Sequence, residues 1–311
     1  MAKLIECVPN FSCSREKDPD TFNALVAVAE SIPGCLVFDV QTDGDHNRCV
    51  FTLVGTPKAM EEAAVQMTKK AVELIDMNHH KGQHPRMGAA DVIPFIPCRG
   101  VTTEECIEVS KIVAERIWKE VGMPSYLYED SATEEKRRNL ATCRKGEFEG
   151  MAEKVKDPEW IPDYCDKEHP APHPTGGVVA IGARFPLIAY NINLNTHDLS
   201  IAKKIASTIR QKGGGFQYCK ALGIDLTERN IVQVSMNLTN YQKTPIWEVF
   251  EMVRAMAHRY GVEIVGSEVV GLTPAEALLD CADFYLRLEN FDGNKQIMEL
   301  QLLEEFASKM E

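Results

Sequence analysis

The sequence has no long apolar run, and its start does not resemble an export signal. A membrane-spanning helix needs about 20 consecutive apolar residues, and no run here approaches that length. The first seven residues lack the basic start, apolar stretch and small-residue cleavage site of a secretory signal. We therefore expect a cytoplasmic protein that does not associate with membranes.

The ten cysteines include no C-x-x-C pair, so the spacings typical of zinc and dithiol sites are missing. Cys7, Cys35, Cys49 and Cys98 lie in apolar, strand-like runs, where a free cysteine behaves as a small hydrophobic residue. This placement favours reduced thiols in a reducing compartment.

Basic residues are also scarce, with 34 Lys and Arg residues against 46 Asp and Glu residues and a formal net charge of −12. A broad nucleic-acid surface needs clustered Lys and Arg, so we expect no nucleic-acid partner. A local basic pocket can still attract an acidic small molecule, because a cleft focuses the field of the charges that line it.

What the sequence does contain is a regular alternation of strand-like and helix-like segments, enough for two core-forming units in 311 residues. Each half has a β-β-α-β order, which predicts two ferredoxin-like α/β domains, residues 1–177 and 178–311. We expect helices on the outer face of each sheet and a cleft between the sheets. The charged, proline-rich segment 131–173 is predicted to link the halves and cover that cleft. The predicted strands are 4–11, 35–40, 49–54, 91–96, 125–128, 178–182, 187–194, 231–238 and 263–270, and the predicted helices are 18–31, 57–77, 102–121, 201–209 and 246–260, followed by two helical segments.

The strongest local motif is Asn78–Gly88, which concentrates three histidines, a lysine and an arginine between a helix and a strand. One interpretation is an exposed basic loop. A second is metal binding, because His80 and His84 have the i, i+4 spacing of zinc-binding helices. However, no Glu follows His80, and Gly82 and Pro85 would break such a helix, so we predict no metal site.

A third interpretation is acid–base catalysis on an anionic substrate. A histidine titrates near neutral pH, so it suits proton transfer in either direction. Lys81 and Arg86 are expected to hold substrate carboxylates and to lower the pKa of His84. The loop alone does not decide between these interpretations.

Eight blocks of the sequence resemble the formiminotransferase family, which moves a formimidoyl group from N-formimidoyl-L-glutamate to N5 of tetrahydrofolate. The blocks are Glu6–Ser12, His80–Gly88, Asp91–Pro97, Tyr126–Tyr128, Trp160–Asp163, Gly182–Arg184, Ala189–Asn193 and Val270–Leu272. They span most of the chain in order. The resemblance implies two α/β subdomains with a substrate cleft between them, a homodimer, and tetrahydrofolate as a co-substrate without a metal.

The resemblance also implies roles for individual residues. It makes His84, within the His-Pro-Arg-Met-Gly block, the catalytic histidine. It places a folate-contacting loop at His173, Pro174, Thr175, Gly176 and Gly177, although the surrounding loop, 165–177, departs from the mammalian pattern. In mammals the transferase is fused to a cyclodeaminase, so this chain is expected to be a stand-alone transferase that hands its product to a separate cyclodeaminase.

Further candidate binding residues stay open between two interpretations. Asp39 and the pair Asn47 and Arg48 either orient His84 and bind glutamate carboxylates, or serve as a turn-stabilising aspartate and an exposed arginine. Arg184, Asn191 and Asn193 occupy strand positions where apolar residues are usual, which favours a role facing the cleft. The complete set of predicted binding residues is Asp39, Asn47, Arg48, His80, Arg86, His173, Pro174, Thr175, Gly176, Gly177, Arg184, Asn191 and Asn193. Alternative functions are a folate transferase that uses a formyl donor and a folate-binding protein without turnover.

Overall fold

The computed structural model describes residues 3–309, which form two compact units. The first unit ends at Arg184 and the second begins at Phe185. The first contains strands β1 (Leu4–Cys7), β2 (Asn10–Phe11), β3 (Cys35–Asp43), β4 (Arg48–Gly55), β5 (Ala90–Arg99), β6 (Ser125–Leu127) and β7 (Val179–Ala183), and helices α1 (Pro19–Ser31), α2 (Pro57–Leu74), α3 (Thr103–Val121), α4 (Leu140–Arg144) and α5 (Glu147–Lys154). The second contains strands β8 (Ile188–Leu194), β9 (Cys219–Leu226), β10 (Ile231–Leu238) and β11 (Ile264–Val270), and helices α6 (Leu199–Ile209), α7 (Ile246–Arg259), α8 (Ala275–Leu286), α9 (Gly293–Gln296) and α10 (Met298–Lys309).

The sheet of the first unit has seven strands. Both β1 and β2 pair with β4 and with β5, so together they act as one strand that is interrupted at Val8 and Pro9. The first sheet therefore runs β3, β4, β1 with β2, β5, β7 and β6, and the β5–β7 and β6–β7 pairs are parallel. Through β5 this is the β-α-β-β-α-β order of a ferredoxin-like fold, extended at one edge by β7 and β6.

The sheet of the second unit repeats the same order without an extension. Its four strands run β11, β8, β10 and β9, and all pairs are antiparallel. The prediction of two α/β units is confirmed. Strand β9 was not predicted from the sequence. Its backbone packs closely against α6, and a Cβ on Gly223 would lie 2.5 Å from the amide nitrogen of Lys203.

Helix starts follow from local capping. The side chain of Asp18 accepts a hydrogen bond from the amide of Thr21 at the start of α1. Thr102 and Glu105 form a reciprocal capping box at the start of α3, which satisfies two backbone donors that the helix leaves free. The helices cover a core whose sheet side includes alternate, fully buried residues of β4, such as Phe51 and Leu53.

The segment predicted to link the two halves is instead a folded part of the first unit. Its helices α4 and α5 contribute Cys143 and Met151 to a small core that also contains Val92 of β5, Tyr126 of β6 and Ala180 of β7. Because β7 pairs with β5 and β6, the first unit extends beyond the boundary predicted at residue 177.

Cys7, Cys35 and Cys49 are buried as free thiols, whereas Cys98, near the end of β5, is exposed. The β5 strand continues to Arg99, beyond the predicted apolar run, and its side chains leave the core there. Among the helices within residues 3–309, none is both long and apolar enough to cross a membrane.

Candidate functional site

The His84 loop lies against the turn between β3 and β4, held by three hydrogen bonds. The amide of Gln83 donates to the carbonyl of Asp45 over 3.1 Å. Asn47 adopts a left-handed backbone with φ of 49°, and its Nδ2 donates to the carbonyl of Lys81 over 3.0 Å. In return, Nε2 of His80 donates to the carbonyl of Asn47 over 3.0 Å. The two predicted candidates Asn47 and His80 thus join the loop to the turn.

Glycine at position 82 permits this close approach. A Cβ on Gly82 would lie 2.2 Å from the carbonyl oxygen of His46 and 2.9 Å from the Cβ of Asn47. No side chain fits at these distances without moving the backbone of the turn. Gly82 therefore has a packing role that the sequence indicated only as a helix breaker.

The ring of His84 is hydrogen-bonded to Arg48 at the start of β4. The distance from Nη1 of Arg48 to Nε2 of His84 is 2.6 Å, and both residues are half-buried. A guanidinium is always a donor, so Nε2 must be the acceptor. The imidazole is therefore neutral, with its proton on Nδ1 and its lone pair on Nε2.

The surroundings keep His84 neutral. Burial, followed by the positive charges of Arg48 and Arg144 and smaller contributions from His46 and Arg86, lowers the pKa of His84 to about 3. The predicted direction is confirmed. The main causes differ, because burial and Arg48 outweigh Arg86.

Arg144 brings a second guanidinium to the site from α4. It pairs with Asp91, which is 2% exposed and whose Oδ1 also accepts the amide of Met87 over 2.9 Å. Burial raises the pKa of the Asp91 carboxyl, and the charge of Arg144 opposes that rise. Burial and the charge of Arg144 also lower the pKa of Arg48. The site thus combines the positive charges of two arginines with one buried carboxylate.

Arg86 is already neutralised by the chain itself. The residue is 7% exposed, and its Nη atoms donate to the carboxylates of Glu147 and Glu149 at 2.7 Å each. Although burial opposes it, these two carboxylates hold the pKa of Arg86 above its usual range. Its Nε also donates to Nδ1 of His80 over 3.3 Å. Through these hydrogen bonds Arg86 joins the start of α5 to the loop of His84.

The predicted folate loop, His173 to Gly177, lies beside the same segment. The amide of Met77 donates to the carbonyl of Thr175, and the amide of Ala89 donates to the carbonyl of Gly176. Gly177 has a φ of 74°, and a Cβ there would lie 2.3 Å from the carbonyl oxygen of Met87. Gly177 therefore has a packing role in this loop.

The ring of His173 accepts a hydrogen bond from the backbone of its own loop. Nδ1 of His173 accepts the amide of Gly176 over 2.9 Å, and burial lowers the pKa of the ring. Pro174 is exposed, and its carbonyl accepts Nδ2 of Asn78 over 3.0 Å. The exposed side of the loop is therefore Pro174 and its neighbours rather than the two glycines.

Asp39 and Arg184 have partners outside the loop of His84. Asp39 is exposed and accepts Nε2 of Gln41 over 3.0 Å. The amide of Arg184 donates to the carbonyl of Phe95. Burial raises the pKa of Glu6, and the positive charge of the Arg184 side chain opposes that rise. Arg48 is a predicted candidate whose guanidinium is hydrogen-bonded to His84.

Asn191 and Asn193 belong to the second unit, where they form a network of their own. Asn193 is 3% exposed; its Oδ1 accepts Nε2 of Gln233 over 2.9 Å, and its Nδ2 donates to Glu268 over 3.1 Å. The side chain of Asn191 also bonds to Glu268 and helps to lower its pKa. The polar side chains on these strands therefore have partners within their own sheet.

The sequence interpretation missed three residues of the His84 site: His46, Asp91 and Arg144. The ring of His46 lies edge-on to that of His84, with centroids 6.2 Å apart. A carboxylate at the head of an apolar strand was a usable signal for Asp91, since such a group needs a partner. No local signal singled out Arg144. Among the side chains that the structure describes, no group of three or more His, Cys, Asp or Glu is placed to hold a metal ion.

The chain is similar to known proteins along both units. A family model described as "Formiminotransferase domain, N-terminal subdomain" matches residues 4–184, and one described as "Formiminotransferase domain" matches residues 189–304. A glutamate formimidoyltransferase of Streptococcus pyogenes serotype M1 is 54% identical over 97% of this chain and 100% of its own length. One of Thermoplasma acidophilum is 45% identical over 99% of both chains. A formimidoyltransferase-cyclodeaminase of Gallus gallus is 43% identical over 93% of this chain but only 53% of its own length.

Proposed function

The chain belongs to the formiminotransferase family, and we propose that it transfers the formimidoyl group of N-formimidoyl-L-glutamate to N5 of tetrahydrofolate. The observation that carries the chemistry is the neutral imidazole of His84, whose lone pair lies on Nε2. A neutral imidazole in a half-buried, cationic site is a proton acceptor for a reaction between anionic substrates.

The proposed reaction needs one group that accepts and then returns a proton. N5 of tetrahydrofolate attacks the formimidoyl carbon and gives a tetrahedral intermediate. Nε2 of His84 takes the proton from N5, and the imidazolium then gives it to the nitrogen of glutamate as the carbon–nitrogen bond breaks. The products are 5-formimidoyltetrahydrofolate and glutamate, and His84 returns to its neutral form.

The proposed binding groups are the predicted ones, supported to different degrees. Arg48 has a donor face beside His84, and Arg144 adds a second positive charge to the same place. Asn47 and His80 act by holding the loop. The set Asp39, Arg86, His173, Pro174, Thr175, Gly176, Gly177, Arg184, Asn191 and Asn193 remains a proposal for substrate or folate contacts.

The remaining proposals concern the setting of the reaction. We propose that tetrahydrofolate enters as a co-substrate and that His84 works without a metal. We also propose that the enzyme is a cytoplasmic homodimer and that its product passes to a separate cyclodeaminase. The chain matches nearly the full length of two relatives named glutamate formimidoyltransferase and about half the length of the relatives that carry both names.

The test is an absorbance assay with tetrahydrofolate, N-formimidoyl-L-glutamate and an added cyclodeaminase, which converts the product to 5,10-methenyltetrahydrofolate. We expect wild-type turnover, and we expect His84→Ala to lower kcat by about 10²- to 10⁴-fold with little change in folate binding. The matched control is His79→Ala, which removes a histidine of the same loop whose side chain is 85% exposed.

Each other outcome points to a different error. Near-normal turnover by His84→Ala would contradict the catalytic role. Turnover with N-formylglutamate but not with the formimidoyl donor would keep the site and change the substrate. Folate binding without turnover on either donor would make the chain a folate-binding protein.

A further inference from the structure

In this structure, the basic nitrogen that the proposed reaction needs is already hydrogen-bonded to an arginine. Nε2 of His84 carries the lone pair, and Nη1 of Arg48 donates into it over 2.6 Å. A lone pair that accepts this bond is not free to take a proton from N5 of a folate. The ring must therefore lose the contact with Arg48 before it acts.

Arg48 is able to move to another partner. Among the described side chains, no carboxylate forms an ion pair with it, and its one hydrogen-bonded side chain is the imidazole of His84. A neutral imidazole is a weaker acceptor for a guanidinium than a carboxylate, which takes two parallel hydrogen bonds and carries a charge. An incoming carboxylate would be the better partner.

The other charged groups around His84 do not meet that need. Arg144 from α4 adds positive charge, and the carboxylate of Asp91 on β5 is held by Arg144 and by a backbone amide. Asp43, from the end of β3, bonds to Nδ1 of His46 over 2.8 Å. On the loop of His84 itself, His80 accepts a bond from Arg86, which Glu147 and Glu149 neutralise. Because Asp91 pairs with Arg144, the positive charge that no carboxylate compensates at the site is that of Arg48.

We propose that a carboxylate of the dicarboxylate donor binds Arg48, draws its guanidinium away from Nε2 of His84 and so uncovers the base. The inference rests on the proposed function, which supplies a donor with two carboxylates. The anion also neutralises part of the positive charge that faces the ring. An opposite charge within about 4–6 Å shifts a pKa by about 1 to 3, so the imidazole becomes a stronger base when the donor is bound.

This arrangement couples binding to chemistry. Without the donor, His84 is neutral, capped and a weak base, because burial and the arginines lower its pKa to about 3. With the donor bound, the same charge that holds the substrate no longer opposes protonation of the ring. A donor that lacks the carboxylate is expected to lose turnover as well as affinity.

The experiment is an NMR titration of protein with isotope-labelled histidine rings, followed with and without glutarate. Glutarate is an unreactive dicarboxylate, and the uncharged diamide of the same length is the control. We expect His84 alone among the rings of its loop to gain at least about tenfold in proton affinity with glutarate and nothing with the diamide. No binding of glutarate, or binding that leaves the titration of His84 unchanged, would overturn the proposal.

A variant provides the second measurement. In Arg48→Gln, the ring of His84 should titrate at a higher pH without any ligand and should no longer respond to glutarate. Arg138→Gln, which removes a guanidinium on a 52% exposed side chain, is the matched control and should behave like the wild type. A response to glutarate that survives in Arg48→Gln would contradict the role of Arg48.

The two proposals fail separately. The titration needs no turnover, so a wild-type response to glutarate in a protein that transfers no formimidoyl group would support the uncovering of His84 and refute the proposed activity. If the protein turns over but glutarate does not change the titration of His84, the proposed displacement of Arg48 is refuted and the proposed activity stands.

Discussion

Asp91 and Arg144 form a buried ion pair that ties strand β5 to helix α4 across 53 residues of sequence. The carboxylate is 2% exposed and the side chain of Arg144 is 15% exposed. Through this pair, the segment that follows β6 holds a guanidinium beside Arg48 and His84. A stability contact and the charge of the site therefore depend on the same two side chains.

Asp91→Ala is expected to destabilise the fold strongly. It leaves the charge of Arg144 without its carboxylate next to Arg48, and it also removes the acceptor for the amide of Met87. Breaking a buried pair by removing one partner costs about 3–5 kcal/mol. Urea unfolding monitored by circular dichroism measures the difference in the free energy of unfolding.

The control for that change is Asp130→Ala. Asp130 pairs with Arg138 at the surface, where both side chains are more than a third exposed. A surface ion pair contributes about 0–1 kcal/mol. If the two variants lost similar stability, burial would not strengthen the Asp91–Arg144 pair over a surface pair.

Gly82→Ala is expected to lower turnover by displacing the loop that carries His84. The added methyl group would lie 2.2 Å from the carbonyl oxygen of His46, so the loop and the turn must separate. A displacement of about 1 Å in a catalytic group can lower a rate about 10²-fold. The coupled absorbance assay measures kcat. Because the close approach at Gly82 positions the loop of His84, we expect a large loss in kcat and a smaller loss in the free energy of unfolding.

Gly150→Ala is the matched control for that substitution. Gly150 lies inside α5, and apart from its own helix backbone no atom lies within 4 Å of the position of an added Cβ. Replacing a helix-interior glycine by alanine is expected to stabilise by about 0.5–1 kcal/mol. Equal turnover in Gly82→Ala and Gly150→Ala would show that the close approach at Gly82 does not position His84.

Much of the fold was predictable because its signals are local. Asp18, Thr102 and Glu105 are capping residues within a few positions of the helix starts that they determine. The strand–helix order then indicated two units, and the pairings place both in ferredoxin-like order. The strand 4–11 was predicted as one piece, and the structure interrupts it at Pro9 while keeping its two neighbours.

The site was predictable only where chemistry clusters in the sequence. His84 and His80 lie in a conspicuous loop, but the partner of His84 is 36 residues away on β4. Asp39 was also a candidate for orienting His84. However, the β3–β4 register shifts between Val37 and Asp39, and this irregularity changes the direction of the Asp39 side chain. Alternation along a strand does not predict such a bulge.

The partners of Arg86 and Asp91 were hidden for a similar reason. They lie on α4 and α5, in a charged segment that lacks clear periodicity and was interpreted as a link. Only the packing of Cys143 and Met151 on the sheet brings Arg144 and Glu147 to the loop of His84. Contacts at this sequence distance depend on tertiary structure.

Lys154→Met is expected to loosen the helix that carries Arg144. Nζ of Lys154 donates to the carbonyls of Thr142, Cys143 and Lys145 at 2.7, 2.6 and 3.2 Å, and it lies 4.1 Å from the ring centre of Trp160. These carbonyls lie at the C-terminal end of α4, where backbone acceptors lack a full set of intrahelical donors, and that of Thr142 also accepts the amide of Lys145 over 3.3 Å. Hydrogen bonds to a charged group contribute about 1.5–3 kcal/mol, and urea unfolding should show a loss of that size.

Lys156→Met serves as the comparison, since its ammonium is exposed and bonds to the nearby carboxylate of Glu153. It should change the free energy of unfolding by less than about 1 kcal/mol. A Lys154 variant as stable as the Lys156 variant would mean that the carbonyls of α4 find water in place of the ammonium without loss.

The last prediction concerns how stability depends on pH through His84. Burial and the nearby arginines lower the pKa of its ring from 6.5 to about 3 in the folded chain. Between these two values the unfolded chain binds the proton and the folded chain does not. Protonation therefore favours unfolding, and the stability that His84 contributes is complete above pH 6.5 and falls as the pH drops toward 3.

Replacing the ring with a neutral side chain should remove this part of the pH dependence. We expect the free energy of unfolding of His84→Asn to fall less steeply than that of the wild type between about pH 6.5 and 4. The ring is half exposed, so solvent screening makes the difference smaller than for a fully buried group. Urea unfolding of both proteins across this range measures the two slopes. The matched control is His79→Asn, which replaces an exposed ring of the same loop. Parallel slopes for His84→Asn and the wild type would mean that His84 titrates normally in the folded chain and that Arg48 does not hold it neutral.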